Sequence, residues 1–289
     1  MSTPTHPQQE HPSTYIVQDR SNKEELSRLQ VHDRMFTSRM GGVLPEQPDP
    51  TLFQRVLDVG CGTGGWLIEC AKTYSHMSLL IGVDASHLMI DYAHEQAQIQ
   101  GVSDRVEFHV MDALRMLEFP TGFFDLVNQR AGMSWLRTWD WNKLLTEYLR
   151  VAKPGGVIRV TEGDLLPENN SPALTRIGEL GVEATYQAGH LFTAEAGGLR
   201  KELAALLKRH SIQQIQTREY VLEYRAGTDE WRDLFEDLGY GIRTGLPFLQ
   251  KWTRVPDNYE EICQQALTEM QQPDFVATWH VLTAWGTAP

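Results

Sequence analysis

The sequence predicts an α/β fold built on a parallel, doubly wound sheet. Short apolar strands alternate with helical segments along the first 164 residues, and the first strand runs into a glycine-rich turn, Gly60-Cys61-Gly62-Thr63-Gly64. This alternation is typical of parallel strands joined by crossover helices. Because right-handed crossovers place the carboxyl ends of such strands at one edge of the sheet, we expect the residues that end the strands to meet there.

The elements of this first part follow in a regular order. We predict strands at 55–59, 79–83, 106–110, 123–127 and 157–161, and helices at 22–40, 65–75, 86–100 and 141–151. Ser86 is a suitable N-cap for the third helix, and Gly101 ends it. Asp84 and Asp112 each follow a strand, and Asn128 follows strand four, so these polar residues are expected at the same edge as the glycine turn.

The regular alternation of strands and helices ends after Thr161. Residues 165–196 are predicted to be helical or irregular, 199–208 to form a helix, and 212–224 and 275–285 to form strands. The connection between the last two strands is too long to lack structure, and helices are predicted at 230–238 and 259–270. The predicted organisation is a disordered segment at 1–20, an N-terminal helical lid at 21–50, a cofactor-binding core at 51–164 and a helical cap at 165–198 and 226–273. The last helix and a strand hairpin, at 199–225 and 274–289, complete the core.

Composition limits the function. The 289 residues carry 26 basic and 38 acidic side chains, a net charge of −12, which argues against a nucleic-acid partner. No apolar run is long enough for a transmembrane helix. Cys61, Cys70 and Cys263 are widely spaced and odd in number. They predict reduced thiols in a cytoplasmic protein, without the spacing of a metal site.

The glycine turn by itself indicates a nucleoside cofactor but does not identify it. Glycines at a strand-to-helix turn allow unusual backbone angles and a close approach of backbone to ligand. Gly60, Gly62 and Gly65 also satisfy the dinucleotide pattern G-x-G-x-x-G, and Asp84 lies 19 residues after Gly65. An NAD(P)-dependent or flavin-dependent oxidoreductase therefore stays open on the glycine spacing.

Three further features favour another cofactor. They are Asp58 in the first strand, Met111-Asp112-Ala113 after the third, and Lys153-Pro154-Gly155-Gly156 before the fifth, accompanied by Phe124-Asp125-Leu126-Val127 in the fourth. Together they resemble the class I S-adenosylmethionine-dependent methyltransferases. The likeness is to the small-molecule branch of ubiquinone/menaquinone-type and natural-product enzymes. The resemblance covers residues 55–164.

The resemblance implies a Rossmann-like, seven-stranded sheet with an antiparallel last strand, S-adenosylmethionine as cofactor and S-adenosylhomocysteine as product. The cofactor-binding positions that it implies are Asp58, Gly60, Gly62, Gly64, Asp84, Met89, Asp112, Ala113, Asn128, Gln129 and Arg130. In this interpretation Asp84 accepts both ribose hydroxyls and Asp112 binds the adenine amino group. Structural alternatives are a loop-organising acceptor for Asp58, a turn for Asp112, a strand-end cap for Asn128 and a surface ion pair for Arg130.

The expected acceptor is a small, largely apolar or aromatic molecule of the secondary-metabolite, quinone or terpenoid type. The segment Asn128-Gln129-Arg130-Ala131 is not the Asn/Asp-Pro-Pro-aromatic motif of enzymes that methylate nucleic-acid bases or protein glutamine. The acids of the Mg²⁺-dependent catechol type are also missing, so no metal is expected. Methyl transfer requires no particular catalytic side chain; the weak candidates for a base or an orienting group are His190, His280, Glu162, Asp164 and Tyr186. A non-catalytic cofactor-binding protein and a homo-oligomer are both compatible with the sequence.

Overall fold

The computed structural model describes residues 15–16 and 23–289. The segment predicted to be disordered, 1–20, lies outside the described residues except for Tyr15 and Ile16. The described strands are β1 (Arg55–Val59), β2 (Leu79–Asp84), β3 (Val106–Val110), β4 (Phe124–Arg130), β5 (Ala152–Gly163), β6 (Glu168–Asn169), β7 (Gln213–Arg225) and β8 (Val276–Thr287). The α-helices are α1 (Lys23–Arg39), α2 (Gly65–Thr73), α3 (His87–Ile99), α4 (Trp141–Val151), α5 (Pro172–Gln187), α6 (Leu203–Arg209), α7 (Asp229–Thr244), α8 (Leu246–Trp252) and α9 (Tyr259–Glu269).

These strands form one mixed sheet in the order β3-β2-β1-β4-β5-β8-β6, with β7 also paired to β8. Strands β1 to β5 are parallel, and β8 runs antiparallel to its neighbours β5, β6 and β7. The doubly wound α/β fold and the antiparallel last strand are confirmed. The sheet has eight strands rather than seven because the two-residue β6 adds to the edge of β8, a pairing too short to leave a sequence pattern.

The chain moves outward from β1 to β2 and β3, then returns across the sheet to β4. The strand order therefore reverses between β1 and β4. In open sheets of this kind the ligand site lies beyond the carboxyl ends of the strands at this switch point. The glycine turn follows β1 directly, so the topology places it at that position.

Continuous burial along β1 explains why helices cover both faces of the sheet. Val56 belongs to the core that includes Leu67 of α2 and Ile90 of α3, whereas Leu57 belongs to the core that includes Leu144 of α4. All five side chains are buried. Successive side chains of a strand point to opposite faces, so a continuous apolar strand requires cover on each side.

A third core lies above the carboxyl edge of the sheet. It joins Met35 of α1, Leu180 of α5, Leu238 of α7 and Trp279 of β8. The helix α5 starts at Ser171, whose side chain accepts a hydrogen bond from Leu174 N at 3.0 Å. The predicted helix at 230–238 is longer in the structure and is followed by α8, which was not predicted. Within the described residues, no helix has the length and apolar character needed to cross a membrane.

Candidate active site

A cavity of about 310 Å³ lies at the carboxyl edge of the sheet, under α1 and the helices that follow β5. The loop after β1 and the ends of β4 and β5 form one wall; α1, α5, α7 and α8 form the other. Several of the lining side chains are apolar: Leu29, Phe36, Ile177, Leu238, Ile242, Phe248, Leu249, Trp279 and Val281. The cavity thus connects the glycine turn to an apolar compartment.

The glycine turn is held in place by Asp84. Gly60, Gly62 and Gly64 all have positive φ, at 70°, 53° and 75°, a region that favours glycine. Asp84 Oδ2 accepts a hydrogen bond from Gly62 N at 3.0 Å, and Oδ1 accepts one from Ser86 N at 2.9 Å. One carboxylate at the end of β2 therefore organises both the turn and the start of α3.

Asp58 does not organise the turn, contrary to the structural alternative considered for it. Its Oδ1 accepts a hydrogen bond from Asn128 Nδ2 at 2.7 Å. Asn128 Oδ1 in turn accepts from Arg159, and the Arg159 guanidinium pairs with Glu46 at 2.6 Å. Asp58, Asn128 and Arg159 are register partners on the adjacent strands β1, β4 and β5. They form a polar row across the sheet, closed by Glu46 from the segment after α1.

This row ends in a carboxyl group with an unusual proton affinity. Asp58 is 3% exposed and lines the cavity. Burial raises the pKa of Asp58 to about 7, although the charge of Arg130 and the Asn128 hydrogen bond act in the opposite direction. Asp58 therefore changes its charge near neutral pH.

Asn128 and Gln129 do not follow strand four, as the sequence suggested, because β4 continues to Arg130. Both are completely buried, and neither lines the cavity. Gln129 Nε2 donates to Glu162 Oε1 at 3.0 Å. Polar residues persist in this strand because their amides find buried partners, so the structure gives these two side chains a supporting position behind the cavity wall.

Arg130 is the member of this segment that reaches the cavity. It donates to Asp33 of α1 and to Thr37 Oγ1, the latter at 3.2 Å, and lies over the Trp66 ring. Its side chain is 20% exposed, so the surface ion pair expected as an alternative is a largely buried contact. Arg130 ties the N-terminal helix to the end of β4.

The remaining predicted cofactor positions lie at the ends of β2 and β3. Asp112 Oδ1 accepts from Leu114 N at 3.0 Å, the bond of a turn-forming aspartate, and its side chain is 42% exposed. Ala113 and Met89 are buried. Met89 N donates to the Ser86 cap at 3.4 Å. A cofactor role for these three residues remains a prediction.

Two of the five base candidates line the cavity. Glu162 accepts hydrogen bonds from Gly132 N at 2.7 Å and Met133 N at 3.2 Å, and burial raises its pKa to about 8. Asp164 is held by Arg200, whose Nε lies 2.6 Å from Oδ1. Both carboxyl groups are thus engaged in holding the protein together.

The other three candidates lie outside the cavity lining. His190 is buried with Nδ1 at 2.9 Å from Met133 O, and burial lowers its pKa to about 4, so it is neutral. His280 lies between Trp279 and Val281, which both line the cavity; its own side chain points to the other face of β8. Tyr186 is 42% exposed. The structure gives no support to these three as bases.

Sequence reasoning missed the residues that the N-terminal segment contributes. They are His32, Asp33 and Glu46, together with Arg159 and Asp237, which pair with members of that segment. A charged residue such as Arg159 inside a predicted apolar strand was a usable signal, because a buried charge needs a partner. Among the described residues, no group of three His, Cys, Asp or Glu side chains could hold a metal ion.

The fold and the site together define a nucleoside-cofactor protein with an apolar second compartment. Comparison with known proteins gives the class. A family model described as a methyltransferase domain matches residues 56–156. The 27-O-demethylrifamycin SV methyltransferase of Amycolatopsis mediterranei is 26% identical over 266 residues, which cover 92% of this chain and 83% of the relative. The aklanonic acid methyltransferase DauC of Streptomyces sp. strain C5 is 30% identical over 153 residues, covering 50% of this chain and 68% of the relative.

Solved structures agree on the fold. The phosphoethanolamine N-methyltransferase 2 of Haemonchus contortus, solved with phosphomonomethylethanolamine and S-adenosylhomocysteine, superimposes with a TM-score of 0.56 at 19% identity. The match covers 94% of this chain and 60% of that one. The chain belongs to the class I S-adenosylmethionine-dependent methyltransferases, in the branch that acts on small molecules. These relatives give no support to the oxidoreductase alternative.

Proposed function

We propose that the protein transfers the methyl group of S-adenosylmethionine to a small, largely apolar molecule that occupies the cavity. The observation that carries the proposal is the continuity of the cavity, which is lined both by the glycine turn and by apolar side chains of α5, α7 and α8. Its volume of about 310 Å³ is at the lower end for small-molecule sites. Donor and acceptor would meet at the carboxyl ends of β1 and β4.

The residues at the sheet edge fit the cofactor. An ideal Cβ built on Gly62 meets no atom within 4 Å, so the turn presents open backbone at this point. Asp58 lines the same cavity and would pair with the cofactor's ammonium group, and Asp84 would accept the ribose hydroxyls. Asp112 would bind the adenine. When bound, the cofactor supplies a methyl group on a positively charged sulfur, and the protein supplies alignment and a water-poor site.

The relatives and the charge of the chain support a small acceptor. Two relatives are named for 27-O-demethylrifamycin SV and for aklanonic acid. The net charge of −12 would repel nucleic acid. All three cysteines are unpaired, which supports the expected cytoplasmic location.

Ligand-dependent thermal unfolding tests the cofactor. S-adenosylhomocysteine should raise the melting temperature, whereas NAD⁺ and NADP⁺ should not. Asp84→Asn should weaken S-adenosylhomocysteine binding by about 10- to 100-fold, the worth of hydrogen bonds to a charged group. Asp104→Asn is the matched control, because Asp104 is 74% exposed. Stabilisation by the dinucleotides alone would contradict the proposal, and so would unchanged binding by Asp84→Asn.

The non-catalytic alternative needs a separate measurement. Incubation with a radiolabelled methyl donor and a broad set of small apolar molecules should label at least one of them. Binding of S-adenosylhomocysteine without any labelling would favour a cofactor-binding protein that does not transfer the methyl group.

A further inference from the structure

A histidine–aspartate pair lies in the wall of the cavity, between α1 and α7. His32 Nδ1 is 3.1 Å from Asp237 Oδ2, and both residues line the cavity. The Asp237 side chain is 2% exposed, whereas that of His32 is 25% exposed. The pair therefore joins a buried carboxylate to an imidazole that reaches the ligand space.

We propose that His32 is the base that removes the proton of the acceptor, and that Asp237 is the positioning residue that holds its ring. The inference rests on the methyl-transfer function proposed above. It narrows the acceptor to a small molecule with a weakly acidic hydroxyl group, a phenol or an enol. Such a group attacks well only as it loses its proton.

The charge of Asp237 determines which ring nitrogen can accept that proton. Burial by itself raises the pKa of Asp237, but His32 and Arg28 outweigh this effect and hold the pKa below its usual range. Arg28 Nη1 donates to Asp237 Oδ1 at 3.2 Å. An ionised carboxylate only accepts hydrogen bonds, so His32 Nδ1 carries the proton and Nε2 of the neutral ring carries the lone pair. Within the described part of the chain, Nε2 has no hydrogen-bond partner.

Two aromatic side chains fix the orientation of the ring. The His32 ring centroid is 4.4 Å from that of Phe36, at an interplanar angle of 36°, and 5.8 Å from that of Trp279, at 79°. Phe36 and Trp279 both line the cavity. A ring held by one hydrogen bond and two aromatic contacts is pre-positioned for proton transfer.

The other carboxyl groups of the cavity wall are each engaged by a donor. They are Asp33 with Arg130, Asp58 with Asn128, Glu162 with Gln129 and two backbone amides, and Asp164 with Arg200. Arg28 is held by Glu25 as well as by Asp237. Among the described cavity residues, the charged groups near His32 are Arg28, Asp237 and Asp33, which follows His32 in α1. Among the described residues, no donor contacts His32 Nε2, so this atom is available to accept a proton from a molecule in the cavity.

The proposed step is balanced. The acceptor oxygen forms a bond to the methyl carbon as the carbon–sulfur bond breaks, and the electron pair of that bond stays on sulfur. The hydroxyl proton moves to His32 Nε2, and Asp237 stabilises the imidazolium that results. The proton then leaves to solvent when the methylated product departs.

A first experiment examines the His32–Asp237 pair by spectroscopy and does not require methyl transfer. Nitrogen-15 spectra of histidine-labelled protein should show His32 as the Nδ1–H tautomer when it is neutral. Asp237→Asn should weaken the preference for this tautomer, because the carboxylate that accepts from Nδ1 is lost. The opposite tautomer in the wild type, or an unchanged tautomer preference in Asp237→Asn, overturns the proposal. Asp237→Asn is checked for a native circular dichroism spectrum, and the tautomer is also read in the wild type, so a folding defect leaves the test intact.

A second experiment measures transfer of labelled methyl to a panel of small phenols and enolised 1,3-diketones. His32→Asn should bind S-adenosylhomocysteine like the wild type but lose about 100-fold or more in turnover. The loss should shrink as the pH rises through the pKa of the acceptor, and it should be smaller for a nitrophenol than for its parent phenol. His280→Gln is the matched control, since His280 points away from the cavity, and its turnover should not change.

The outcomes separate this proposal from the function on which it rests. A wild type that does not bind S-adenosylhomocysteine contradicts the proposed function itself. Normal cofactor binding with no labelled hydroxyl acceptor, or His32→Asn turnover equal to the wild type at every pH, overturns the role of His32 alone.

Discussion

Two glycines of the same turn should respond differently to substitution by alanine. Gly62 and Gly64 both have positive φ, at 53° and 75°. A Cβ on Gly64 would lie 2.6 Å from Phe108 Cζ and 2.9 Å from Ala93 Cβ, whereas a Cβ on Gly62 meets nothing within 4 Å. Gly64 is therefore required for packing in the folded protein. Gly62 is instead required to leave space for a ligand that approaches the turn.

The magnitudes follow from two separate costs. The left-handed conformation costs a non-glycine residue about 1–2 kcal/mol, which applies to both positions. Overpacking adds about 1–3 kcal/mol at Gly64 only. Gly64→Ala should thus lower the free energy of unfolding by about 2–5 kcal/mol, and Gly62→Ala by about 1–2 kcal/mol. Gly62→Ala should weaken S-adenosylhomocysteine binding, because its methyl group enters the open space beside the turn.

Urea unfolding and calorimetric titration with S-adenosylhomocysteine check both effects. Gly101→Ala is the control: φ is +69°, no atom lies within 4 Å of its Cβ, and it follows α3 away from the cavity. Its loss of stability should equal that of Gly62→Ala, with unchanged binding. Equal stability of all three variants would refute the packing argument. Wild-type affinity in Gly62→Ala would refute the assignment of the turn to the cofactor.

Two further predictions concern buried carboxyl groups. Glu46→Gln should cost about 3–5 kcal/mol in urea unfolding because it leaves the buried Arg159 charge without its partner, whereas the exposed Glu69→Gln should change stability by less than about 0.5 kcal/mol. Glu46 has a lowered pKa, so its contribution is lost as the pH falls through that pKa; an unchanged acid midpoint in Glu46→Gln would contradict this. The pKa of Asp58 is raised from 3.8 to about 7. The stability that Asp58 contributes to the folded protein is therefore lost as the pH rises from about 4 to 7. S-adenosylhomocysteine should bind more tightly over the same rise through pH 7, when Asp58 becomes the anion that pairs with the ammonium group; titrations in which Asp58→Asn keeps this pH dependence would argue against that contact.

The parts of the fold that could be predicted are those with local causes. β1, β3 and α4 have the predicted bounds, because an apolar run or a periodic stripe ends at a glycine, a proline or a cap. The end of β4 was predicted three residues too early. Asn128 and Gln129 look like the end of a strand until their buried partners, Asp58 and Glu162, are known. Those partners lie 70 and 33 residues away, and only the register of the sheet brings them together.

Some features of the candidate site could likewise be predicted from the sequence, and others could not. The position of Asp84 beside the glycine turn could be predicted because parallel strands joined by crossover helices end at one edge of the sheet, as β1 and β2 do. The pairs Arg159–Glu46 and His32–Asp237 join residues 113 and 205 positions apart. Their formation depends on how the N-terminal segment crosses the sheet edge and packs against α7, which no local pattern specifies.

The sequence nevertheless carried a usable signal for His32. Positions three and four residues apart share a helix face, so His32 lies on the same face of α1 as Leu29 and Phe36. Both of those residues line the cavity. A polar residue on the apolar face of an amphipathic helix must be paired or placed at a site, because burial without a partner is costly. His190 and His280 drew attention as isolated histidines, but the position of His32 between two apolar residues of one face was the stronger indication, since it places the ring against whatever that face covers.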